Sequence, residues 1–434
     1  LNSTNLSSLN TNAEITLNNI IFTNPKPVVD YNNDGVYEDC PPSQCAELGY
    51  AGGTFAFNTT HFTGYAAQED TGPPGITGCP VTINSTYTLT QSLESNDSCI
   101  TIGNNSMTLD CAGHTIRYNA NGGNNEFGIL AYNLTNITIK NCNIIDINST
   151  GDYGFAINFT EINYSSIIYN QLITNSSYYP YALYHENTSN SIISNNNITA
   201  TGTHLVYGIY SRISFNSLIE NNTITSRNKG IYVLGPAQNN IINSNTIIAT
   251  DSGNTKGIEL FWLARNNTIT NNNITAYSPS YNDNYGIYVH DTTTQTIITN
   301  NTIRTNGTYN NYGIYLSTYA QNSTITNNNI TTKGSTHQNY GIHLRSNSHN
   351  NTINANTIRT DGTGNNYGIY LDTTNHNNTI ANNTITTNGT GGYNDGIFLA
   401  TTAIDNRIIN NTVRTYGTIS NHALHLHTEK SKPA

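Results

Sequence analysis

The chain has 434 residues, a formal net charge of −10 and only 10% charged residues, against 34 glycines and 30 tyrosines. An acidic balance without a basic stripe excludes nucleic-acid binding as the main task, and no run of about 18 apolar residues offers a membrane span. Polarity carried by Asn, Thr and Tyr rather than by charge suits an exposed extracellular β-structure and not a cytosolic enzyme.

In chain order, residues 1–78 come first and stand outside the repeat that fills the remainder. The chain begins at Leu1 rather than Met, which fits a removed signal peptide. Asn18 to Phe22 and Gly53 to Asn58 read as strands, with Pro25-Lys26-Pro27 and Gly72-Pro73-Pro74-Gly75 as breaks. Asp30, Asn32 and Asp34, with Gly35 at the bend, match the first half of a calcium loop. Pro41 stands where the closing Glu belongs, so an Asx turn is the other reading. Ca2+ is the one cofactor this segment suggests.

All six cysteines lie in the first third of the chain, and an even count in a secreted context reads as disulfides. The favoured pairing is Cys40–Cys45, Cys79–Cys99 and Cys111–Cys142, the last because both residues hold equivalent places on adjacent coils. Zinc is the alternative, but the spacings lack paired C-x-x-C motifs.

From residue 79 to 427 a phrase returns about every 22 to 29 residues, the period of a solenoid. It stands as Gly208-Ile209-Tyr210, Gly230-Ile231-Tyr232, Gly286-Ile287-Tyr288, Gly313-Ile314-Tyr315 and Gly368-Ile369-Tyr370, with looser copies between and before. Each copy leads into two more short alternations, such as Thr324-Ile325-Thr326 and Asn329-Ile330-Thr331. Three half-buried strands per coil describe a parallel β-helix, all-β, of about 12 coils. Residues 1–78 are expected to cap its first coil, and 428–434 form a tail.

Two residues before the apolar centre of each last strand stands Asn: Asn170, Asn196, Asn222, Asn245, Asn272, Asn301, Asn328, Asn356, Asn383 and Asn411. An inward Asn at a bend can bond its equivalents above and below, so a buried ladder is expected. Tyr210, Tyr232, Tyr288, Tyr315 and Tyr370 point outward in one column, interrupted by Glu259 and His343, and the glycine column beside it leaves that face flat. The stripe reads either as a glycan- or partner-binding face or as a self-stacking ladder.

Sequons flank the inward Asn at outward places. They include Asn58, Asn84, Asn133, Asn148, Asn175, Asn197, Asn221, Asn273, Asn300, Asn306, Asn329, Asn350, Asn377, Asn382, Asn388 and Asn410, so covalent N-glycans are expected. Near the end, His422, His425 and His427 suggest a metal site, against the commoner reading of exposed terminal histidines.

Leu109-Asp110-Cys111-Ala112-Gly113-His114-Thr115-Ile116 and Asn136-Ile137-Thr138-Ile139-Lys140-Asn141-Cys142 carry a resemblance. They resemble the opening coils of the right-handed parallel β-helix superfamily with pectate-lyase-type repeats, over about residues 80 to 427. The resemblance implies a right-handed solenoid and leaves activity open, since the superfamily holds lyases, hydrolases and inert surface fibres.

Catalysis is not expected. The acids scatter (Asp251, Asp291, Asp361, Asp372, Glu259), Arg345 and Asp372 read as a surface ion pair, and no two carboxylates suggest a glycosidase pair. The expected protein is a secreted, N-glycosylated structural β-helix, a subunit of an extracellular filament or surface layer joined head to tail. The alternative is a polysaccharide-binding adhesin or a polysaccharide lyase or hydrolase that uses the Tyr face.

Overall fold

A computed structural model describes residues 12–22, 25–41, 44–60, 63–69, 76, 78–251, 253–280, 283–372, 374–417 and 420–427. The chain divides into two compact units, Leu1–Gly75 and Ile76–Ala434.

The first unit holds two three-stranded antiparallel sheets. One orders Ala13–Leu17, Thr54–Thr59 and Cys45–Ala51; the other orders Glu38–Asp39, Pro25–Asp30 and Gly64–Glu69. Val29, Phe55 and Phe57 fill its core beside the Cys40–Cys45 disulfide. Two sequence expectations are corrected here. The first strand is Ala13–Leu17, not Asn18 to Phe22, because Ala13, Ile15 and Leu17 alternate inward and the left-handed φ of 62° at Asn19 ends the run. Pro25 and Pro27 lie inside a strand instead of breaking one. Proline loses only the donor, and the Pro27 carbonyl still accepts the Cys40 N–H at 3.2 Å. Gly72-Pro73-Pro74-Gly75 and the tail 428–434 lie outside the described residues.

The second unit starts at Ile76, three residues before the expected boundary; its N–H donates to the buried Tyr87 hydroxyl at 2.6 Å. From there the chain winds through three parallel sheets of 14, 13 and 13 strands, each strand pairing with its equivalent one coil before and one coil after. One coil runs Asn311–Leu316, Thr324–Thr326, Asn329–Gly334. The register stacks like on like: Ile287, Ile314, Ile342 and Ile369 in the first sheet, and Ile303, Ile330 and Ile358 in the third. All seven are buried in one continuous core. No described residue is helical.

Polar ladders close the bends. In the expected column, the Asn328 N–H and Nδ2 both reach Asn356 Oδ1 at 3.0 Å, and Nδ2 also donates to the Ile298 carbonyl at 2.9 Å. The same bonds recur from Asn170 to Asn411. Two further columns escaped the sequence reading. Asn240 and Asn267, then Asn351, Asn378 and Asn406, serve a second bend. Asn284, Asn311, Asn339, Asn366 and Asn394 serve a third.

The glycine of the repeated phrase is also corrected: it faces inward. A Cβ on Gly313 would meet Ile330 Cγ2 at 2.2 Å and the Gly341 carbonyl at 2.5 Å. Glycine therefore leaves room for the isoleucine of the third sheet, and does not shape the outer face. Disulfides join Cys79 to Cys99 and Cys111 to Cys142, the latter across adjacent coils, which fits an oxidising compartment.

Candidate functional site

Outside the first sheet run two columns of aromatic rings, where the sequence reading saw one. The expected column registers Tyr184, Tyr210, Tyr232, Glu259, Tyr288, Tyr315, His343, Tyr370, Phe398 and His425. The second, from the residue two before the buried isoleucine or leucine of each coil, registers Phe155, Tyr181, Tyr207, Lys229, Lys256, Tyr285, Tyr312, Tyr340 and Tyr367. Rings stack along and across the columns, for example Tyr288 on Tyr315 and Tyr312 on Tyr315, each at 5.0 Å between centroids. Tyr232 and Tyr315 are buried, while Tyr210, Tyr288 and Tyr370 are half-buried. Burial raises the phenols of Tyr210, Tyr232, Tyr288 and Tyr370, so those rings stay neutral. The stripe is thus chiefly a self-packed ladder, and most of its aromatic surface is already spent on neighbouring rings.

The ladder breaks in two adjacent coils, and charge fills the gap. Lys229 and Lys256 replace tyrosine in one column and Glu259 replaces it in the other. The Glu259 carboxylate is buried. Its Oε1 bonds His290 Nε2 at 2.9 Å and lies 3.6 Å from Lys256 Nζ; its Oε2 pairs with Lys229 Nζ at 2.7 Å, off the line of a hydrogen bond. Burial works against ionisation of Glu259, but the His290 bond and the two ammonium groups outweigh it and hold the carboxyl down at about 2. Burial pushes the Lys229 ammonium below the usual lysine range, against the opposing pull of Glu259.

Aromatic rings wall this cluster. Lys229 Nζ lies 3.7 Å from the centroid of Tyr232 and 5.3 Å from that of Tyr207. The His290 ring stacks on Tyr288 at 3.9 Å and on Phe261 at 4.5 Å, and its Nδ1 stands 3.3 Å from Asp291 Oδ2. Beside Phe261, the single tryptophan, Trp262, is exposed, and so is Tyr319. Both sit in a two-residue left-handed turn that recurs in successive coils as Trp262/Leu263, Asp291/Thr292 and Thr318/Tyr319. Trp262 directly follows Phe261, whose ring stacks on His290, while Tyr319 lies on the coil after His290.

The family model described as right handed beta helix region matches residues 81–247, 162–303, 206–330 and 253–431, which together take in most of the chain. The chain belongs to the right-handed β-helix family. Among solved structures this β-helix is similar to the A-module of mannuronan C-5 epimerase AlgE4 from Azotobacter vinelandii, at 16% identity over 80% of this chain and 91% of that one, with a TM-score of 0.47. It is also similar to DFA-IIIase from Arthrobacter chlorophenolicus A6, at 12% identity over 68% and 82% of the two chains with a TM-score of 0.45. The Dettilon tailspike protein matches at 15% identity over 73% and 63%, with a TM-score of 0.42. No curated protein matches the chain. These likenesses concern fold alone.

The remaining predicted positions are scattered through both units. Asp30 accepts the N–H groups of Asp34 at 3.2 Å and Gly35 at 2.9 Å, and Asp34 accepts that of Val36 at 2.9 Å, so both acids act as turn acceptors. The chosen sequons are exposed except Asn148, which is half-buried with Nδ2 donating to the Ala120 carbonyl at 2.8 Å. Arg345 and Asp372 face each other at 3.6 Å. His422 and His425 meet at Asp395, while His427 turns to Thr401 at 2.7 Å. Lys229, Lys256 and His290 were missed, although a signal existed. Where other coils read Tyr-Gly (Tyr207-Gly208, Tyr285-Gly286, Tyr312-Gly313), these two read Lys229-Gly230 and Lys256-Gly257.

Proposed function

We propose that this β-helix binds a carboxylate-bearing polysaccharide across the outer face of its first sheet, at the gap formed by Lys229, Lys256, Glu259 and His290. The carrying observation is the gap itself: columns that hold aromatic rings in most coils place three charges in two adjacent coils. Two ammonium groups face one carboxylate, so Lys256, the more distant partner of Glu259, keeps charge to offer a ligand anion. Trp262 and Tyr319 supply open faces on which sugar rings can stack. This reading belongs to the polysaccharide class and displaces the filament subunit as the leading function.

Calorimetric titration with uronate-containing and neutral oligosaccharides tests it. Lys256→Met and Trp262→Ala should each weaken uronate binding about tenfold or more, since a charge-assisted contact contributes about 1.5–3 kcal/mol. Arg304→Ala, on the third sheet, should leave affinity unchanged. Equal affinity in all four proteins would sink the proposal. Lys229, with its lowered ammonium beside Glu259 and His290, also favours acid–base chemistry on the bound chain. An unsaturated or epimerised product, lost in Lys229→Met, would extend the proposal from binding to catalysis. The filament reading rests on the exposed sequons and on Leu424 and Leu426, exposed in the last described coil. End-to-end polymers on sedimentation without carbohydrate affinity would restore it.

A further inference from the structure

The double aromatic ladder breaks a second time, at its far end. Asn366-Tyr367-Gly368-Ile369 becomes Asn394-Asp395-Gly396-Ile397 in the next coil and Asn421-His422-Ala423-Leu424 in the one after. In the other column Tyr370 and Phe398 are followed by His425. A carboxylate and two imidazoles therefore stand where three rings would continue the stack.

Their geometry is convergent. Asp395 is fully buried, and among the described residues no lysine or arginine pairs with it. Its Oδ1 faces His422 Nδ1 at 2.8 Å and accepts the His422 backbone N–H at 3.0 Å; its Oδ2 faces His425 Nδ1 at 2.8 Å. One ligand atom from each side chain lies within 4.8 Å of the others. Phe398 closes one side, its ring edge-on to His425 at 4.7 Å. His422 remains half open to solvent.

A fully buried carboxylate needs a compensating positive charge. The groups that face both of its oxygens are imidazoles, a side chain that commonly binds metal ions. The 2.8 Å oxygen–nitrogen separations are hydrogen-bond distances, and opening them to the roughly 3.3–3.6 Å between neighbouring ligands of a tetrahedral ion with bonds of about 2.0–2.2 Å takes only small side-chain rotations. Two imidazoles and one carboxylate make a donor set that suits zinc and its first-row neighbours, not calcium or magnesium. Three protein ligands with one open side leave room for water.

We propose that Asp395, His422 and His425 bind a divalent transition-metal ion that clips the last described coil to the coil before it. The clip has a mechanical reason: Leu424 and Leu426 of that last coil are exposed, so it buries little apolar surface to hold itself in place. A metal bond across the two coils supplies what the missing burial does not.

The test uses the full chain, stripped with chelator and titrated with Zn2+ alone. About one Zn2+ per chain should bind, and Co2+ in its place should give visible absorption of a low-coordinate site. His422→Gln and His425→Gln should each weaken Zn2+ binding about tenfold or more, and Asp395→Asn should do the same. His427→Gln, whose ring is engaged by Thr401, should bind as wild type does. Zn2+ should slow hydrogen exchange over residues 394–399 and 420–427 in the wild-type chain and fail to do so in His425→Gln. Because His422 is half exposed, His422→Gln keeps the fold even if Asp395→Asn disturbs it. Absence of saturable binding, or binding unchanged in both histidine variants, would overturn the proposal and leave a carboxylate paired only with imidazoles.

Discussion

Replacing Asn328 by alanine removes one rung from the middle of the longest Asn ladder. In the native rung, Asn328 Oδ1 accepts the backbone N–H of Asn301 and its Nδ2, each at 3.0 Å. Its own Nδ2 donates to the carbonyls of Ile298 at 2.9 Å and Thr326 at 3.0 Å. Alanine offers none of these groups. Asn301 Nδ2 keeps its bonds to the carbonyls of Ile269 and Thr299, so it is not orphaned. The Asn301 N–H loses the partner that faces it in a buried bend, at a cost of about 1–3 kcal/mol, and the Ile298 carbonyl, central in its strand pairing, loses a second donor. The expected destabilisation is about 2–4 kcal/mol after some relaxation. Asn329→Gln, one position along and exposed, should stay within about 0.5 kcal/mol. A solenoid can open segment by segment, so native-state hydrogen exchange is the better assay, supported by denaturant melts. Protection should fall at Asn301 and in the two flanking coils, and remain at Asn170 and Asn196. Wild-type protection at Asn301, or equal costs for Asn328→Ala and Asn329→Gln, would refute the ladder as the source of stability.

His343 sits buried between Tyr315 and Tyr370 with both ring nitrogens unpaired, and burial holds its imidazole well below the ordinary histidine range. A lowered folded pKa means that the proton binds the unfolded chain better, so stability is full above about pH 6.5 and declines as pH falls below it. His343→Tyr should restore the ladder, raise stability by about 1–3 kcal/mol and flatten that acid slope. His185, held down to about 3 by burial, would keep its own share of the slope. A thermal-melt series across pH checks both; an unchanged slope in His343→Tyr would count against the reading. Gly313→Ala pushes a methyl into Ile330 Cγ2 and the Gly341 carbonyl and should cost about 2–3 kcal/mol, measured by the same melts; a neutral effect would mean that the inward glycine column tolerates volume.

What the sequence determined is what repetition and alternation carry. The period of the Gly-Ile-Tyr phrase gave the solenoid, the β-branched alternation gave three strands per coil, and invariant Asn beside varying neighbours gave the first ladder. Cys111 and Cys142 could be paired because equivalent repeat positions must lie one coil apart. These features are local or periodic, so a linear reading reaches them. Only the tertiary structure decided the direction of glycine, which depends on the isoleucine it meets from another sheet. It also decided how much of the Tyr stripe is open, because stacked columns bury one another. Above all it decided the two charged clusters. Glu259 and His290 are 31 residues apart in the chain, and Asp395 and His425 are 30 apart, yet each pair closes within hydrogen-bond distance. Stacking turns one coil of sequence into a single strand spacing of about 4.8 Å, so residues that look scattered along the chain become neighbours on one face.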